Sequence, residues 1–173
     1  MLTLSGEHIF LRALEPGDLE FLYHLENDET VWEVSHTLTP YSRFILKQYL
    51  ENSHKDIYEV KQLRLVISGY NNETYGLIDM YDFDPRHKRA GIGIIIAGGY
   101  RNKGLATEAV QLVITYAFNR LDLHQLYAHI SEDNAASIQL FGKLGFEKTG
   151  VKKDWNRVSG VYKSEFLYQK IKK

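Results

Sequence analysis

The sequence has no cysteine, only three prolines and no apolar run that approaches the length of a membrane-spanning helix. The absence of cysteine excludes disulfides, thiolate metal sites and a cysteine nucleophile at once. A helical span would need about 20 consecutive apolar residues. The first residues also lack the basic start and apolar stretch of a signal peptide. We therefore expect a cytoplasmic protein that does not associate with membranes.

The charges are almost balanced, with 21 lysines and arginines against 22 aspartates and glutamates. A net charge of -1 gives no general attraction to nucleic acid, so we expect no nucleic-acid partner. The seven histidines include no H-x-x-x-H pair and no acidic companion at ligand spacing, and we expect no metal. The 173 residues have the length of a single domain, 1–173.

Hydrophobic periodicity predicts a mixed α/β (α+β) fold. Strands are predicted at residues 8–13, 63–68, 74–82, 89–97 and 124–131, with two more within 147–171. Helices are predicted at 18–26, 42–53, 105–120 and 134–144, and residues 27–39 as a loop with a short helical turn. We expect a central twisted, mixed sheet of about seven strands flanked by about four helices. Consecutive isoleucines predict that strand 89–97 is buried on both faces.

The most informative stretch is residues 91–109, GIGIIIAGGYRNKGLATEA. A buried strand that breaks into a small, basic turn and then opens a helix is one way to build an anion site, because the first N–H groups of the helix are free. We expect a pyrophosphate there. The spacing excludes a dinucleotide-binding turn, because the G-x-G pattern lies inside the strand and not in the turn. It also excludes a P-loop, because Lys103 precedes Gly104.

Three segments in order carry a family resemblance. Residues 101–106 (RNKGLA) match the pattern R-x-x-G-x-A, residues 131–137 read SEDNAAS and residues 140–146 read LFGKLGF. Together they resemble the acyl-CoA site of the GCN5-related N-acetyltransferase (GNAT) superfamily, and the resemblance extends over nearly the whole chain. Within the superfamily the chain is most similar to the spermidine N-acetyltransferases and the ribosomal-protein N-terminal acetyltransferases.

The resemblance implies acetyl-CoA as co-substrate, held where the fourth and fifth strands splay apart. The backbone of the fourth strand would bind the pantetheine arm, the basic turn the pyrophosphate, and the last helix the other side of the arm. The residues implied are Ile94, Ile95, Ile96, Arg101, Asn102, Lys103, Gly104, Leu105, Ala106, Asn134 and Phe141. Asn134 can equally cap the last helix. Glycines 91 and 93 predict either a bulge or close packing against a helix.

The reaction implied is direct transfer of an acetyl group to a primary amine. In many relatives a tyrosine on the last helix protonates the leaving thiolate, but this chain has Phe141 there, which has no proton to give. Water or Tyr116 are the alternatives. On the acceptor side Asp79 is the candidate to attract the amine and relay its proton. Asp82 and Asp84 are better explained by the turn before Pro85.

Three functions remain open. The first is N-acetylation of a small polyamine-like or other amine, although Ser35 and His36 stand where the polyamine relatives carry acidic residues. Glu33 in the same loop is a further acceptor-side candidate. The second function is protein N-terminal acetylation of the ribosomal type. The third is a catalytically weak acyl-CoA-binding module, an alternative that remains because Phe141 replaces the usual tyrosine acid. Residues 162–168 are a candidate strand for pairing across a homodimer.

Overall fold

A seven-stranded sheet organises the computed structural model, which describes residues 4–173, in the order β1-β2-β3-β4-β5-β7-β6. Neighbouring strands are antiparallel except for the parallel pair β4 and β5. The predicted mixed α/β class is confirmed. The strands are β1 (Ile9–Ala13), β2 (Leu63–Gly69), β3 (Thr74–Asp84), β4 (Arg89–Ile96), β5 (Gln125–Ser131), β6 (Glu147–Val158) and β7 (Val161–Ile171).

Four longer helices lie where the sequence predicted them, and two short ones supplement them. The helices are α1 (Leu19–Glu26), α2 (Trp32–Ser35), α3 (Arg43–Glu51), α4 (Ile57–Val60), α5 (Leu105–Asn119) and α6 (Ala135–Lys143). The short helix α2 is the helical turn expected within 27–39. The sequence did not predict α4, a single turn whose N-cap Asp56 accepts a hydrogen bond from the Glu59 N–H.

The two faces of the sheet bury two separate cores, because side chains alternate along each strand. On one face Ile78 and Ile92 pack with Val110 and Val113 of α5. On the other face Leu77 packs in a smaller core with residues of α1 and α3. Asp79 and Tyr81 alternate with the buried Ile78 and Met80, so they lie on the α1–α3 face.

The parallel pairing of β4 and β5 stops after three residues, from Arg89 to Gly91. Beyond this point β5 continues to pair with β7, while the second half of β4 loses its neighbour. We call the resulting opening the β4–β5 cleft. The expectation that strand 89–97 is buried on both faces is therefore wrong for its second half. Ala90, Gly91 and Ile92 are buried, whereas residues 93–96 are partly exposed along the cleft.

The glycines of β4 do not form the bulge that was considered for them. The register of β4 runs without a break from Ile96 to Gly91, and the irregularity lies in β3 between Tyr81 and Asp84. Asp82 has a φ of 48° there. Gly91 instead allows close packing, against a tyrosine rather than a helix. A Cβ on Gly91 would overlap the ring of Tyr81, which crosses β4 at this point.

The start of α5 is tied to the N-terminal strand through Glu108. Its carboxylate accepts hydrogen bonds from the backbone N–H groups of His8 (2.9 Å) and Ile9 (3.3 Å) and lies 3.1 Å from Nδ1 of His8. Burial alone would raise the pKa of Glu108, but these hydrogen bonds outweigh it and the pKa is lowered. The carboxylate therefore faces β1, away from the turn that precedes α5.

The variant Glu108→Gln should be less stable than the wild type by about 1–3 kcal/mol at neutral pH, because two backbone donors lose a charged acceptor. Since the pKa of Glu108 is lowered on folding, its contribution is complete above the unfolded glutamate value and disappears as the pH falls through the folded value. Urea unfolding at several pH values checks this. The control is Glu7→Gln, an 86% exposed neighbour. A difference that stays constant down to pH 3 would contradict the assignment.

Candidate active site

The cleft edge of β4 presents free backbone groups. The N–H of Ala97 donates to the carbonyl of Tyr75 at 2.8 Å, and hydrogen-bonding direction alternates along an antiparallel strand. Ile95 therefore bonds toward β3. The N–H and carbonyl of Ile94 and the N–H of Ile96 point into the cleft, while the carbonyl of Ile96 accepts a hydrogen bond from Arg101. No strand within residues 4–173 pairs with this stretch of β4 on its cleft side. An extended molecule with amide groups can add there as an extra strand.

The turn after β4 has the backbone shape of an anion site. Asn102 and Gly104 both adopt left-handed conformations, with φ of 62° and 77°. Gly104 is the N-cap of α5, and the N–H groups at the start of the helix, beginning at Leu105 and Ala106, lack acceptors within the helix. Successive N–H groups in such a turn converge on one point, and the helix dipole adds positive potential.

Basic side chains flank this turn. Nε of Arg101 donates to the carbonyl of Ile96 at 3.0 Å, which fastens the turn to the end of β4. The ammonium of Lys103 lies 5.6 Å from the centre of the Tyr100 ring. Because Glu108 is directed toward β1, its negative charge is held away from the anion site. The residues implied by the resemblance at 101–106 thus form one continuous turn and helix start.

The last helix places Asn134 and Phe141 in different environments. Oδ1 of Asn134 accepts the N–H of Ser137 at 3.2 Å, so the capping role is confirmed. Phe141 is buried in the core, with its ring edge-on to Phe146 at 5.0 Å between centres. Position 141 therefore contributes apolar packing.

A cavity of about 400 Å³ opens on the α1–α3 face of β3 and β4. In its lining Arg64 donates two hydrogen bonds to Asp79, from Nε (2.7 Å) and Nη2 (2.9 Å). It donates a third, from Nη1, to Glu26 (2.8 Å). Burial disfavours the charge of Arg64, but the two carboxylates outweigh this and its pKa is raised. We call this the first cavity. It is lined by Glu26, Val34, Ser35, Thr37, Tyr41, Ile45, Leu46, Tyr49, Gln62, Arg64, Asp79, Tyr81, Gly93, Ile94 and Ile95.

A second cavity of about 770 Å³ adjoins the first and shares Val34 and Thr37 with it. It lies between α2 and the strands β5, β6 and β7. We call the two adjoining cavities together the two-cavity groove. The second cavity is lined by Glu29, Trp32, Glu33, Val34, His36, Thr37, Leu38, His129, Ser131, Asp133, Asn134, Asn156, Arg157, Val158, Ser159 and Glu165.

Carboxylates outnumber cations in both linings, two to Arg64 alone in the first cavity and four to Arg157 alone in the second. Lysines outside the lining offset part of this charge. Lys163 pairs with Glu33 at 2.6 Å and with Asp133 at 2.7 Å. Lys152 lies 3.4 Å from Glu165. The groove keeps a modest negative surplus, opposite in sign to the turn at 101–106.

Tyr116, predicted as a substitute acid, does not reach this groove. It packs against the core on the α5 side of the sheet, beside Tyr58 and Arg120, whereas Asp79 and Tyr81 lie on the opposite face. The prediction for Tyr116 is therefore wrong, because helical periodicity places a residue on a helix face but not on a side of the sheet. Burial also raises the pKa of Tyr116.

The remaining acidic candidates are distributed as follows. Asp79 lines the first cavity, held by Arg64, and Glu33 lines the second, paired with Lys163. Asp84 accepts the N–H of His87 at 2.9 Å, which confirms its role in the turn. Asp82 sits at the irregularity of β3.

Sequence reasoning missed three residues at the cleft. Tyr81 reaches across Gly91 to the backbone of His129. Nδ1 of His129 lies 3.6 Å from a carboxylate oxygen of Glu165, which is only 6% exposed. The spacing of the seven histidines gives no signal for His129. The pairing of β5 with β7 brings it to Glu165.

A family model for the acetyltransferase (GNAT) domain matches residues 8–147. The chain belongs to the GNAT acetyltransferase family. This acetyltransferase is 31% identical over 160 residues to the spermidine N(1)-acetyltransferase of Escherichia coli (strain K12), covering 92% of this chain and 84% of that one. It is 27% identical over 176 residues to the putative ribosomal N-acetyltransferase YdaF of Bacillus subtilis, covering 97% and 93%.

A crystal structure of the Vibrio cholerae spermidine N-acetyltransferase with CoA and spermine matches the acetyltransferase with a TM-score of 0.86 at 27% identity, covering 96% of both chains. The predicted fold and the expectation of an acetyl-CoA-dependent N-acetyltransferase are confirmed. Within residues 4–173 we find no group of three potential metal ligands and no helix long and apolar enough to span a membrane.

The variant Gly104→Ala should bind CoA about 5- to 30-fold more weakly, because a Cβ disfavours the left-handed backbone by about 1–2 kcal/mol. Isothermal titration calorimetry with CoA measures this. Gly98→Ala is the matched control, since a Cβ there meets nothing within 4 Å and its backbone needs no positive φ. Equal affinities for the two variants would contradict a role of the Gly104 turn in binding CoA.

Proposed function

We propose that this acetyltransferase transfers the acetyl group of acetyl-CoA to a primary amine of a small polyamine-like molecule. The observation that carries the proposal is the negative surplus in the two-cavity groove, which lies directly over the cleft edge of β4. A molecule with several ammonium groups complements such a groove. The similarity to spermidine N-acetyltransferases supports the same acceptor class.

The co-substrate occupies the cleft in this proposal. The pantetheine arm adds to the backbone of Ile94 and Ile96 as a strand, and the pyrophosphate binds the turn at residues 101–106. Asn134 faces the arm from the β5 side, where its side chain lines the second cavity. The backbone N–H of Ile94 is the donor available to the oxyanion of the tetrahedral intermediate. The pyrophosphate and the developing oxyanion thus each face backbone N–H groups or side chains that carry positive charge.

Asp79 supplies charge to the acceptor in this proposal. Both of its oxygens already accept hydrogen bonds from Arg64, so the carboxylate is poorly placed to take a proton as well. Together with Glu26 it leaves the lining of the first cavity negative despite Arg64. An ammonium group of the acceptor that is not reacting can bind in this part of the groove while the reacting amine lies at the cleft.

A peptide N-terminus is the second candidate acceptor. The similarity to the putative ribosomal N-acetyltransferase YdaF supports it, as does the combined size of the two adjoining cavities, about 400 and 770 Å³. For either acceptor we propose a cytoplasmic enzyme. We also propose that the enzyme self-associates, since a relative from Vibrio cholerae forms a dodecamer and β6 and β7 expose Trp155 and Tyr162.

A panel of acceptors tests the function. The purified protein is mixed with acetyl-CoA and spermidine, a matched alkyl monoamine or a peptide with a free N-terminus, and thiol release is followed. We expect the polyamine to react fastest, with kcat/KM falling as salt is added, because exposed charges are screened. Release with the peptide alone favours the second candidate. CoA binding without release to any acceptor would favour an acyl-CoA-binding module.

The variant Asp79→Asn should raise KM for the polyamine about tenfold and change kcat much less, because the lining of the first cavity loses its negative surplus. Steady-state kinetics at fixed, saturating acetyl-CoA measures the split. Glu73→Gln, in the exposed turn between β2 and β3, is the control for a change in net charge. A collapse of kcat with unchanged KM would instead make Asp79 the group that takes the proton of the amine.

A further inference from the structure

Two ionisable side chains, His129 and Glu165, meet where β5 and β7 border the second cavity. His129 projects from β5 on the same face as Tyr127, because Ala128 and Ile130 between and beyond them are buried in the core on the other side. Glu165 projects from β7 toward it, with 3.6 Å between Nδ1 of the imidazole and a carboxylate oxygen. The proposed function does not yet use this pair.

The strand register places His129 across the cleft from the half of β4 that has lost its neighbour. Tyr127 is the partner of Gly91, at the last pair before β4 and β5 separate. His129 lies two residues further along β5, so it faces the stretch of β4 that has lost its neighbour. The His129 side chain is 29% exposed and borders the second cavity. A thioester lying against residues 93–94 would have His129 on its other side, facing the acceptor.

We propose that His129 is the catalytic residue that takes the proton of the attacking amine and returns it to the leaving thiolate, with Glu165 as its positioning residue. The proposal rests on the proposed function, since it concerns acetyl transfer to an amine. It fills the place left by Phe141, which has no proton to give.

The proton balance is complete with one side chain. The amine nitrogen attacks the thioester carbonyl, the C–N bond forms and the nitrogen becomes acidic. Nε2 of neutral His129 accepts that proton, while Nδ1 remains toward Glu165. The C–S bond then breaks, and the imidazolium gives the proton to the thiolate sulfur. The products are the acetylated amine, CoA with its thiol restored, and neutral His129, so no further reactant is needed.

The surroundings keep His129 in the form that can accept a proton. Burial lowers its pKa, and the positive charge of Lys152 on β6 lowers it further. Glu165 and Asp82 act in the opposite direction, and His36 at the end of α2 adds a small lowering effect. The net pKa lies below the ordinary histidine value, so the imidazole is neutral at pH 7.

Tyr81 and Tyr127 fix the position of the imidazole. The hydroxyl of Tyr81 reaches the backbone of His129, and the rings of Tyr127 and His129 lie edge to face at 5.5 Å. Burial raises the pKa of Tyr81, so its hydroxyl stays protonated. Gly91 makes this arrangement possible because a side chain there would collide with Tyr81.

The direct test compares His129→Gln with His87→Gln, a histidine in the exposed turn before β4. We expect His129→Gln to lower kcat by about 10²- to 10⁴-fold with CoA affinity unchanged, and His87→Gln to behave as the wild type. Wild-type activity with the acceptor panel is measured first. If the wild type acetylates a polyamine and His129→Gln keeps its kcat and pH profile, the proposed function stands and this proposal is overturned.

Two further variants retain His129 and distinguish a catalytic role of this residue from a structural one. Glu165→Gln removes a charge that raises the pKa of His129, so the acidic limb of the kcat profile should move to lower pH. Lys152→Met removes a charge that lowers it, so the limb should move to higher pH. A purely structural role would not give opposite shifts, and limbs that stay in place overturn the proposal.

Proton NMR titration of the His129 ring, assigned by its loss in His129→Gln, gives a readout that needs no acceptor. The pKa should lie below the ordinary histidine value and move in the same two directions in Glu165→Gln and Lys152→Met. A wild type with this titration that releases no thiol would remove the proposed function and, with it, the catalytic role of His129. A normal pKa that neither variant moves would overturn the role of the pair even in an active enzyme.

Discussion

The parting of β4 from β5 after three paired residues is the constraint on which the site depends. A sheet interior normally satisfies every backbone N–H and carbonyl, so a strand that loses its neighbour must find another partner or remain open to one. Here the open stretch contains Ile94 and Ile96, and it ends at the turn that starts α5. The unpaired half of β4 and the free N-terminus of α5 therefore follow one another along the cleft. This arrangement suits a molecule with amide groups in the middle and phosphates at one end.

The two ends of this cleft carry charges of opposite sign. The turn at residues 101–106 carries Arg101, Lys103 and the positive end of α5, and Glu108 is held toward β1. The two-cavity groove, on the acceptor side, carries more carboxylates than cations. Arg64 links Glu26 of α1 to Asp79 of β3 and fixes the position of both carboxylates, while one cation leaves the pair with a net negative charge. An acceptor and a co-substrate of opposite charge are thus directed to opposite ends of the cleft.

Much of this could be predicted from the sequence, and the exceptions have physical causes. Periodicity and turn residues located every strand and the four longer helices, because those signals are local. The basic turn was recognisable because the constraint at Gly104 is also local. The pairing of His129 with Glu165 joins residues 36 positions apart through the register of β5 and β7, and no spacing rule contains that register. Tyr116 was misplaced for a related reason, since helical phase does not say which face of the sheet a helix covers.

The hydrogen bonds of Glu108 connect the anion site at the start of α5 to the N-terminal strand. One helix end serves two purposes: its N–H groups are directed at the anion site, and its first-turn carboxylate holds His8 and Ile9 of the N-terminal strand. The first turn of α5 is therefore shared between the anion site and β1, so the packing of β1 and the backbone shape of that site rest on the same four residues of helix.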